Sequence, residues 1–397
     1  MKKILTLIIL LLTTNLFAQT WTAHNAGTTS VVISISFPSS DTGYIVTDAA
    51  EVRKTTDGAS SWTTVATPIP EWNVYFLTGQ KGFAYSDSII YRTVNGGTSW
   101  TEVVHDHNIY FTSMVFADQN TGYATGLNYY TTLDSLRLYK TNNGGASWVI
   151  VNAVQIFVIE TPLFFLSSTT GFWGNNNGIN STTDGGTTFA NSWNDPNFTD
   201  SPTQIDFPNA DTGFVIDPYA LAIKTFDGGT TWSPINYPGT SGAQDLHFFT
   251  GRKGFVCGGS GPAGWVQQTS DAGASWTPVY TSAYNFYCMD FPNDSVGYVG
   301  GDNGTVLKFS GVVTGVSEIE NQNSFTIYPN PAKESITINE VSIGSDIYLK
   351  NISGQIVRSE KATSANVKLN LKDITPGIYF GEITNGNNRN GKKLVVY

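Results

Sequence analysis

Short apolar stretches alternate with polar, glycine-containing turns along most of the chain. Each stretch is rich in Val, Ile, Phe and Tyr, and each is bounded by Gly, Asn, Asp, Ser or Thr. Short runs between such turns are typical of β-strands rather than helices. The pattern therefore predicts an all-β protein built from many short strands.

A glycine followed by an aromatic residue recurs along this pattern. In each copy an apolar strand leads into a polar turn, and the Gly-aromatic pair follows. Self-similarity of this kind indicates a repeat architecture. The seven copies are DTGY (Asp41–Tyr44), QKGF (Gln80–Phe83), NTGY (Asn120–Tyr123), TTGF (Thr169–Phe172), DTGF (Asp211–Phe214), RKGF (Arg252–Phe255) and SVGY (Ser295–Tyr298).

A second motif, T-x-[D/N]-x-G-x-[S/T]-W, follows six of these copies and is called the box below. Successive boxes begin roughly 38–48 residues apart, which is the length of one four-stranded propeller blade. The boxes are KTTDGASSW (Lys54–Trp62), RTVNGGTSW (Arg92–Trp100), KTNNGGASW (Lys140–Trp148), STTDGGTTF (Ser181–Phe189), KTFDGGTTW (Lys224–Trp232) and QTSDAGASW (Gln268–Trp276).

Every position of the box has a predicted folding role. The Asp or Asn oxygen accepts backbone N–H groups of the turn, and the glycine two residues later permits a positive φ. The final aromatic residue buries a large area against the neighbouring blade. Because Asp and Asn exchange at one position, a shared catalytic or metal-binding charge is disfavoured. Ala59 replaces the glycine of the first box, so we expect a looser turn there. The predicted structural pairs are Asp57 and Trp62, Asn95 and Trp100, Asn143 and Trp148, Asp184 and Phe189, Asp227 and Trp232, and Asp271 and Trp276.

The seventh Gly-aromatic copy has no box after it. The segment TWTAHNAG (Thr20–Gly27) instead resembles the residues that follow a box. We therefore predict a closed ring of seven blades, a β-propeller whose last blade takes its outer strand from the N-terminus. Trp21 would supply the seventh aromatic residue, and closure would leave no exposed sheet edge.

The boxes resemble the Asp-box, or bacterial neuraminidase repeat, of sialidases and sortilin-type receptors. With the Gly-aromatic strands, residues 21–310 look most like the propeller of the photosystem II assembly and stability factors. These resemblances imply a structural role for the boxes on the rim, away from the central pocket. Photosynthetic members are thought to use an arginine-rich patch for their partner. Here the repeats hold only Arg53, Arg92, Arg137 and Arg252, in different blades, so a photosystem role is not expected.

Charge and composition narrow the class of partner. The net charge is -10, although residues 322–397 carry nine Lys/Arg and six Asp/Glu, so the repeats are strongly acidic. Nucleic acid and anionic membrane surfaces are therefore not expected partners. A basic start, an apolar run and a small residue before Gln19 predict a signal peptide over residues 1–18, with no further membrane span. Cys257 and Cys288 either form one disulfide or are two buried thiols.

No constellation for catalysis is evident from the sequence. Glutamate is sparse in the repeats, and no local pair of acids suggests glycoside hydrolysis. His105 and His107 could ligate a metal from one strand face, but no third ligand is visible. No cofactor is predicted. Ligand binding remains open, since loops of rigid propellers carry specificity. Tyr129, Tyr130 and Trp265 are either stacking residues for a glycan or peptide, or ordinary packing residues.

The repeats stop near residue 312, and a linker over residues 313–323 leads to a tail of period-2 strands over residues 324–397. These strands predict a small immunoglobulin-like β-sandwich. The ordered motifs YPNP, N-x-x-G-x-x-V and L-x-x-G-x-Y and a basic-apolar end closely resemble the type A sorting domain of the Por (type IX) secretion system of Bacteroidota. The residues that carry this resemblance are Tyr328, Pro329, Asn330, Pro331, Gly354, Gly377, Tyr379, Lys392 and Lys393.

The resemblance implies contact with the type IX machinery and passage across the outer membrane, followed by release or surface attachment. The first functional hypothesis is a secreted or surface-displayed propeller, spanning residues 19–312, that binds a protein or glycan without chemistry. The alternative is a glycan-cleaving enzyme on the same ring, which two central carboxylates roughly 5–10 Å apart would favour.

Overall fold

The structure, a computed structural model, confirms the predicted all-β class. It divides into two compact units, Met1–Val313 and Thr314–Tyr397. Within the described residues there are 34 strands and one three-residue 3-10 helix, and no helix there has the length and apolar character to cross a membrane. The described residues are 19–65, 73–128, 135–155, 162–175, 178–194, 202–219, 221–239, 242–261, 263–311, 325–339, 341–351, 355–385 and 388–397.

The strands of the first unit are short, with one exception. In chain order they are β1 (Thr20–Asn25), β2 (Val32–Ser36), β3 (Gly43–Thr47), β4 (Val52–Thr55), β5 (Thr63–Val65), β6 (Asn73–Phe76), β7 (Gly82–Tyr85), β8 (Asp87–Thr93), β9 (Thr101–Phe116), β10 (Gly122–Asn128), β11 (Ser135–Thr141), β12 (Val149–Gln155), β13 (Leu163–Phe165), β14 (Gly171–Asn175), β15 (Gly178–Thr182), β16 (Ala190–Trp193), β17 (Gln204–Asp206), β18 (Gly213–Ile216), β19 (Ala222–Thr225), β20 (Ser233–Pro234), β21 (Ala243–Phe248), β22 (Gly254–Gly259), β23 (Gly264–Thr269), β24 (Thr277–Ser282), β25 (Phe286–Asn293), β26 (Val296–Gly301), the 3-10 helix (Asp302–Gly304) and β27 (Thr305–Ser310).

Consecutive strands pair antiparallel to form the sheets of this unit. Strands β2–β5, β13–β16, β17–β20 and β21–β24 each make a four-stranded sheet in chain order. The sheet of β25, β26 and β27 is completed by β1, which pairs with β27 from Thr20↔Ser310 to Asn25↔Thr305. The last sheet therefore takes its fourth strand from the N-terminal region.

Strand β9 joins two repeats into one seven-stranded sheet, β6–β12. Its first part pairs with β8 and its second part with β10, and Tyr110 has a partner on both sides. The segment TEVVHDHNIYFTSMVF contains neither glycine nor proline, so nothing interrupts the strand. His105 and His107 are therefore within one continuous strand.

The glycine of each Gly-aromatic pair makes room for a phenylalanine from the preceding strand. A Cβ on Gly297 would lie 2.0 Å from the Phe291 ring, and one on Gly43 would lie 2.2 Å from the Phe37 ring. No Cβ tolerates such a distance, so only glycine fits. The same overlap with a phenylalanine ring occurs at Gly82, Gly122, Gly171, Gly213 and Gly254.

The aromatic residue after each of these glycines stacks on the phenylalanine that occupies the corresponding glycine-facing position in the next repeat. These contacts carry the packing from one repeat to its neighbour, and the last of them returns to the first repeat. The ring pairs and centroid distances are Tyr44–Phe76 3.4 Å, Phe83–Phe116 5.2 Å, Tyr123–Phe165 3.5 Å, Phe172–Phe207 4.3 Å, Phe214–Phe248 3.5 Å, Phe255–Phe291 5.6 Å and Tyr298–Phe37 3.5 Å.

The second unit has two sheets around one apolar core. One sheet has the order β28-β29-β32 and the other the order β31-β30-β33-β34. Ile338 of the first sheet and Ile347, Leu349 and Leu394 of the second are fully buried in a shared cluster. The strands are β28 (Thr326–Tyr328), β29 (Ser335–Asn339), β30 (Asp346–Asn351), β31 (Ile356–Lys361), β32 (Val367–Asn370), β33 (Gly377–Asn385) and β34 (Asn388–Val396).

The two cysteines are buried and unpaired. Cys257 lies on β22 and Cys288 on β25, in two neighbouring core clusters. Of the two alternatives left open by the sequence, the structure therefore has the pair of buried thiols.

Candidate functional site

The antiparallel sheets give the first unit two distinct ends. Turns after the first strand of a sheet and after the third, where the boxes lie, are at one end, called the box end. Turns after the second strand and the connections between sheets are at the opposite end, called the loop end. Hydrogen bonds join neighbouring turns at the box end, because each box donates one N–H to a carbonyl of the neighbouring polar turn. These bonds are Gly58 to Asp41, Gly96 to Gln80, Gly144 to Asn120, Gly185 to Thr169, Gly228 to Asp211 and Ala272 to Arg252, at 2.8–2.9 Å.

Each box carboxylate is occupied by bonds within its own turn. In the fifth box the Thr225 hydroxyl donates to Asp227 Oδ1 at 2.8 Å, and the Thr231 N–H donates to the same oxygen at 2.8 Å. The Thr231 hydroxyl donates to Asp227 Oδ2 at 2.6 Å, and the Gly229 N–H donates to Thr225 Oγ1 at 2.9 Å. In the remaining boxes the N–H four residues later likewise donates to Oδ1 of Asp57, Asp184, Asp271, Asn95 and Asn143.

Asp and Asn are interchangeable in the box because the neighbouring hydroxyl can reverse its role. Beside Asp271, the Ser275 hydroxyl donates to Oδ2 at 2.6 Å. Beside Asn95, the side-chain amide donates to the Ser99 hydroxyl oxygen at 2.8 Å instead. One bond therefore forms in either case, as serine and threonine hydroxyls both donate and accept.

Hydrogen bonding keeps the box acids ionised. The Ser61 hydroxyl and N–H lower the pKa of Asp57 to about 2, and those of Thr188 lower the pKa of Asp184 to about 2. The first box is not looser than the others. Ala59 adopts a φ of 72°, and its N–H donates to Thr55 Oγ1 at 3.1 Å as the box glycines do.

Each box tryptophan packs edge-on against a phenylalanine of a stacked pair between two repeats, whereas Phe189 meets Trp173 edge-on at 5.5 Å. Trp62 meets Phe37 edge-on at 6.1 Å, and Trp232 meets Phe207 edge-on at 5.9 Å. In the sheet that has no box, Trp21 of β1 contacts Phe309 of the same sheet at 5.1 Å and Phe255 of the preceding sheet at 5.3 Å. The remaining box aromatics, Trp100, Trp148, Phe189 and Trp276, join the corresponding clusters of their own repeats.

A group of acids on the first strands of three sheets was missed from the sequence. Asp290 Oδ2 accepts the Phe37 N–H at 2.5 Å, and Asp206 Oδ2 accepts the Phe248 N–H at 2.6 Å. Asp245 accepts N–H groups of Gln204, Leu246 and Met289 at 2.7–2.8 Å. These carboxylates bridge neighbouring sheets through backbone amides. The Ser36 hydroxyl makes the equivalent bridge to the Phe76 N–H at 2.9 Å.

Burial, rather than pairing, dominates the electrostatics of this group. It raises the pKa of Asp245 to about 7 and that of Asp290 to about 6, and the charge of Asp290 adds to the effect on Asp245. Burial also raises the pKa of Asp206 and lowers that of His247, whose Nδ1 lies 3.8 Å from Asp206 Oδ2. Asp245 and Asp290 are therefore partly protonated near neutral pH while they bridge the sheets.

The bridging acids predict a stability maximum in mildly acidic solution. Because the pKa of Asp290 is raised from 3.8, its contribution is full below that value and is lost as the pH rises through about 6. The box acids have lowered pKa values, so their contribution is present above 3.8 and is lost as the pH falls toward about 2. We expect greatest stability near about pH 4 and a loss of several kcal/mol as the pH rises from about 4 to 7.

Chemical denaturation across this range would measure the profile. Asn in place of Asp290 retains an oxygen for the Phe37 N–H but carries no charge. Asp290→Asn should therefore make the alkaline decline shallower, leaving the part due to Asp245, and Asp57→Asn should leave it intact. Parallel alkaline declines in the native protein and in Asp290→Asn would contradict the assignment.

Among the described residues, His105 and His107 are not part of a metal-binding cluster. His105 Nδ1 lies 3.3 Å from Glu102 Oε1, and Asp106 forms an ion pair with Arg137 and accepts the Tyr139 hydroxyl at 2.5 Å. Across the part of the chain that the structure describes, no three His, Cys, Asp or Glu side chains are placed to hold a metal ion.

Exposed aromatic side chains lie at the loop end. Tyr219, between β18 and β19, is 62% exposed, and Tyr284, between β24 and β25, is 42% exposed. Trp265 is half-buried at the start of β23 and packs with Tyr237 against a core cluster. The other two predicted ligand residues, Tyr129 and Tyr130, lie outside the described residues.

Backbone bonds hold the loops at this end, and one of them joins two successive sheets. The Gly242 N–H donates to the Pro218 carbonyl at 2.6 Å, and the Gly259 N–H donates to Gly242 at 2.9 Å. Further on, the Asp302 N–H donates to Asn285 at 3.0 Å. The segments that carry Tyr219 and Tyr284 are therefore anchored at their bases.

The tail brings the two ends of the predicted sorting motif together. Asn330 Oδ1 accepts the Val395 N–H at 2.9 Å, and Ala332 exchanges backbone bonds with Val395 and Tyr397. Tyr328 is half exposed on β28, next to Pro329 and Pro331. Gly377 and Tyr379 lie on β33, Lys392 and Lys393 lie on β34, and Gly354 is outside the described residues.

The chain thus combines a repeat-built all-β unit, of the propeller class, with a small two-sheet tail. Residues 13–161 match the family described as photosynthesis system II assembly factor YCF48, and residues 326–397 match the secretion system C-terminal sorting domain. These matches confirm the predicted resemblances to the photosystem II assembly factors and to the Por sorting domain, and the tail marks the chain for type IX export to the cell surface or the medium.

Solved structures and one curated protein give three further similarities. A structure of YCF48 bound to D1 peptide is 18% identical with a TM-score of 0.54, covering 73% of this chain and 96% of that one. The GH74 enzyme of Niastella koreensis is 15% identical with a TM-score of 0.58, covering 94% of this chain and 74% of the enzyme. Beta-agarase A of Zobellia galactanivorans is 36% identical over 72 residues, which are 18% of this chain and only 13% of the agarase.

Proposed function

We propose that this chain is a non-catalytic binding module on a seven-bladed propeller, which its tail delivers to the cell surface or the medium. In this proposal residues 1–18 are a signal peptide, residues 19–312 the propeller and residues 313–323 a linker. Residues 324–397 form an immunoglobulin-like sorting domain that contacts the type IX machinery.

Three observations support the closed ring of seven blades. Seven stacked aromatic pairs link successive repeats, and the last pair, Tyr298–Phe37, joins the final repeat to the first. The Lys308 ammonium donates to the Gly58 carbonyl at 3.2 Å, as Lys54 does to Gly96 one repeat later. Strand β1 and Trp21 take the places of the missing outer strand and box aromatic.

The location of the exposed tyrosines carries the proposal of binding. At the box end the Asp and Asn side chains are engaged within their own turns. At the loop end, Tyr219 and Tyr284 present aromatic rings from anchored loops. Aromatic side chains of this kind supply large contact areas at low entropic cost, for a peptide or for a sugar ring. The peptide-bound YCF48 structure supports the first kind of partner, and the surface destination supports either.

A binding screen on the full chain would test this proposal. Extracellular proteins, peptides and glycans would be offered in parallel, and affinity for any ligand found would be compared among variants. We expect Tyr219→Ala or Tyr284→Ala to weaken binding by about tenfold or more, as for buried aromatic anchors of interfaces. Phe226→Ala is the matched control, because Phe226 is 56% exposed at the box end. Equal affinities in all three variants would exclude the loop-end surface.

The glycan-cleaving alternative is supported by one observation. Asp245 and Asp290 lie on neighbouring first strands, and their raised pKa values suit a proton donor near neutral pH. The agarase similarity adds little, since its 72-residue span equals the length of the sorting-domain match. Hydrolysis of a polysaccharide by the native chain, with loss in both Asp245→Asn and Asp290→Asn, would establish this alternative in place of binding alone.

A further inference from the structure

The first and last motifs of the tail form one structural element. The YPNP turn (Tyr328–Pro331) and the end of β34 are more than sixty residues apart in sequence. They are joined at three places: Asn330 Oδ1 accepts the Val395 N–H at 2.9 Å, the Ala332 N–H donates to the Val395 carbonyl at 2.8 Å, and the Tyr397 N–H donates to the Ala332 carbonyl at 3.0 Å. Ala332 and Val396 form a parallel bridge.

This junction lies on the outer edge of a sheet. Strand β34 is the last strand in its sheet and pairs along its other edge with β33, from Gly377↔Val396 to Asn385↔Asn388. The outer edge of a terminal strand otherwise presents unpaired backbone groups. The YPNP turn therefore covers the final residues of the chain and holds them in a defined position.

The composition of the turn explains why Asn330 is needed. Pro329 and Pro331 have no N–H group, so this stretch cannot form an ordinary ladder with β34. An asparagine between them offers a short side chain whose oxygen reaches the Val395 N–H. Ala332 is the first residue after the second proline with an N–H to donate, and it resumes backbone pairing.

We propose that Asn330 is a positioning residue of the sorting signal. The type IX machinery then recognises the end of β34 as a shaped element, held by the turn, rather than as a linear terminal sequence. This inference rests on the proposed role of the tail in export. It assigns to YPNP a task that is separate from the folding of the tail core, where Ile338 and Leu394 are buried.

Export and stability should be measured together on the full chain in a type IX-competent host. Asn330→Ala removes the acceptor of the Val395 N–H, so the exported fraction should fall about three- to tenfold, the equivalent of one hydrogen bond. Asn330→Asp keeps an oxygen at the same place and should restore most of the export. Hydrogen exchange at the Val395 and Tyr397 amides should rise in Asn330→Ala only.

Two controls separate the possible failures. Ile338→Val loosens the tail core without touching the turn and should leave export unchanged, even where its melting temperature falls as far as that of Asn330→Ala. Equal export loss in both variants would overturn the positioning role. Normal export of Asn330→Ala, while deletion of residues 322–397 traps the protein, would overturn it as well and leave the role of the tail intact. Normal export of the deletion would instead refute the proposed function.

Discussion

Replacement of Trp21 by alanine should destabilise the first unit by about 3 kcal/mol, the lower end of the cost of removing a large aromatic side chain from a core, since Trp21 is only partly buried. Trp21 packs between Phe255 and Phe309 and holds β1 against β27. In a unit of this size the melting temperature should fall by about 5 °C. The effect should also be local, since β1 is the strand that completes the last sheet.

Hydrogen exchange tests whether the damage is confined to the closure. Amides of β27 should exchange faster in Trp21→Ala, while those of β3 in the first complete sheet should change little. Trp62→Ala is the matched comparison, because Trp62 has the same edge-on packing in a sheet whose four strands are consecutive. Trp21→Phe keeps a ring and removes an indole N–H that has no partner within the described residues, so it should retain most of the stability. Uniform exchange throughout the unit in Trp21→Ala would contradict a closing role for β1.

Much of the fold could be predicted because its determinants are local and repeated. The Gly-aromatic pairs and the boxes each specify a turn through neighbouring residues, and repetition separates them from chance. The pairing of β1 with β27 was also predictable, because the last repeat lacks a box and Trp21 is a tryptophan that belongs to no box. The merging of two repeats through β9 was not predicted, since it depends on the absence of a turn signal within Thr101–Phe116.

The bridging acids show what a search for local motifs overlooks. Asp206 and Asp290 each precede a phenylalanine, in the same position of two repeats that are 84 residues apart. Neither residue has an acidic neighbour in sequence, so neither by itself indicates a functional site. Alignment of the repeats by their Gly-aromatic pairs would have placed both in one column with Ser36 and Tyr75. Residues at this position accept an N–H from the next sheet. That shared role follows only from the packing of sheets against each other.

The tail shows the same division between local pattern and tertiary contact. Its strands and ordered motifs were readable from alternation and from glycine and proline positions. The bond from Val395 to Asn330 was not, because it depends on how the edge of β34 meets a turn from the start of the tail. Motifs at opposite ends of a domain gain a common role only when the fold brings them together.

Deletion of residues 322–397 should abolish export of the first unit. The tail is a compact unit with its own apolar core, and residues 326–397 match a sorting domain, so its removal takes away the export determinant and leaves the repeats complete. The exported fraction should fall from most of the protein to the background level, with the truncated chain retained in the periplasm. Immunoblots of medium, cell surface and periplasmic fractions would measure this, and protease resistance of the retained material would show that the first unit is folded.

A transfer experiment gives the reciprocal test. Residues 314–397, the second compact unit, fused to an unrelated folded periplasmic protein should carry that protein to the surface or the medium. The same fusion with Asn330→Ala should be exported less well. Since both units have separate cores, export should depend on the tail and be indifferent to the passenger. Export of the deleted chain at the native level, or retention of the fusion, would show instead that the repeats themselves hold the export signal.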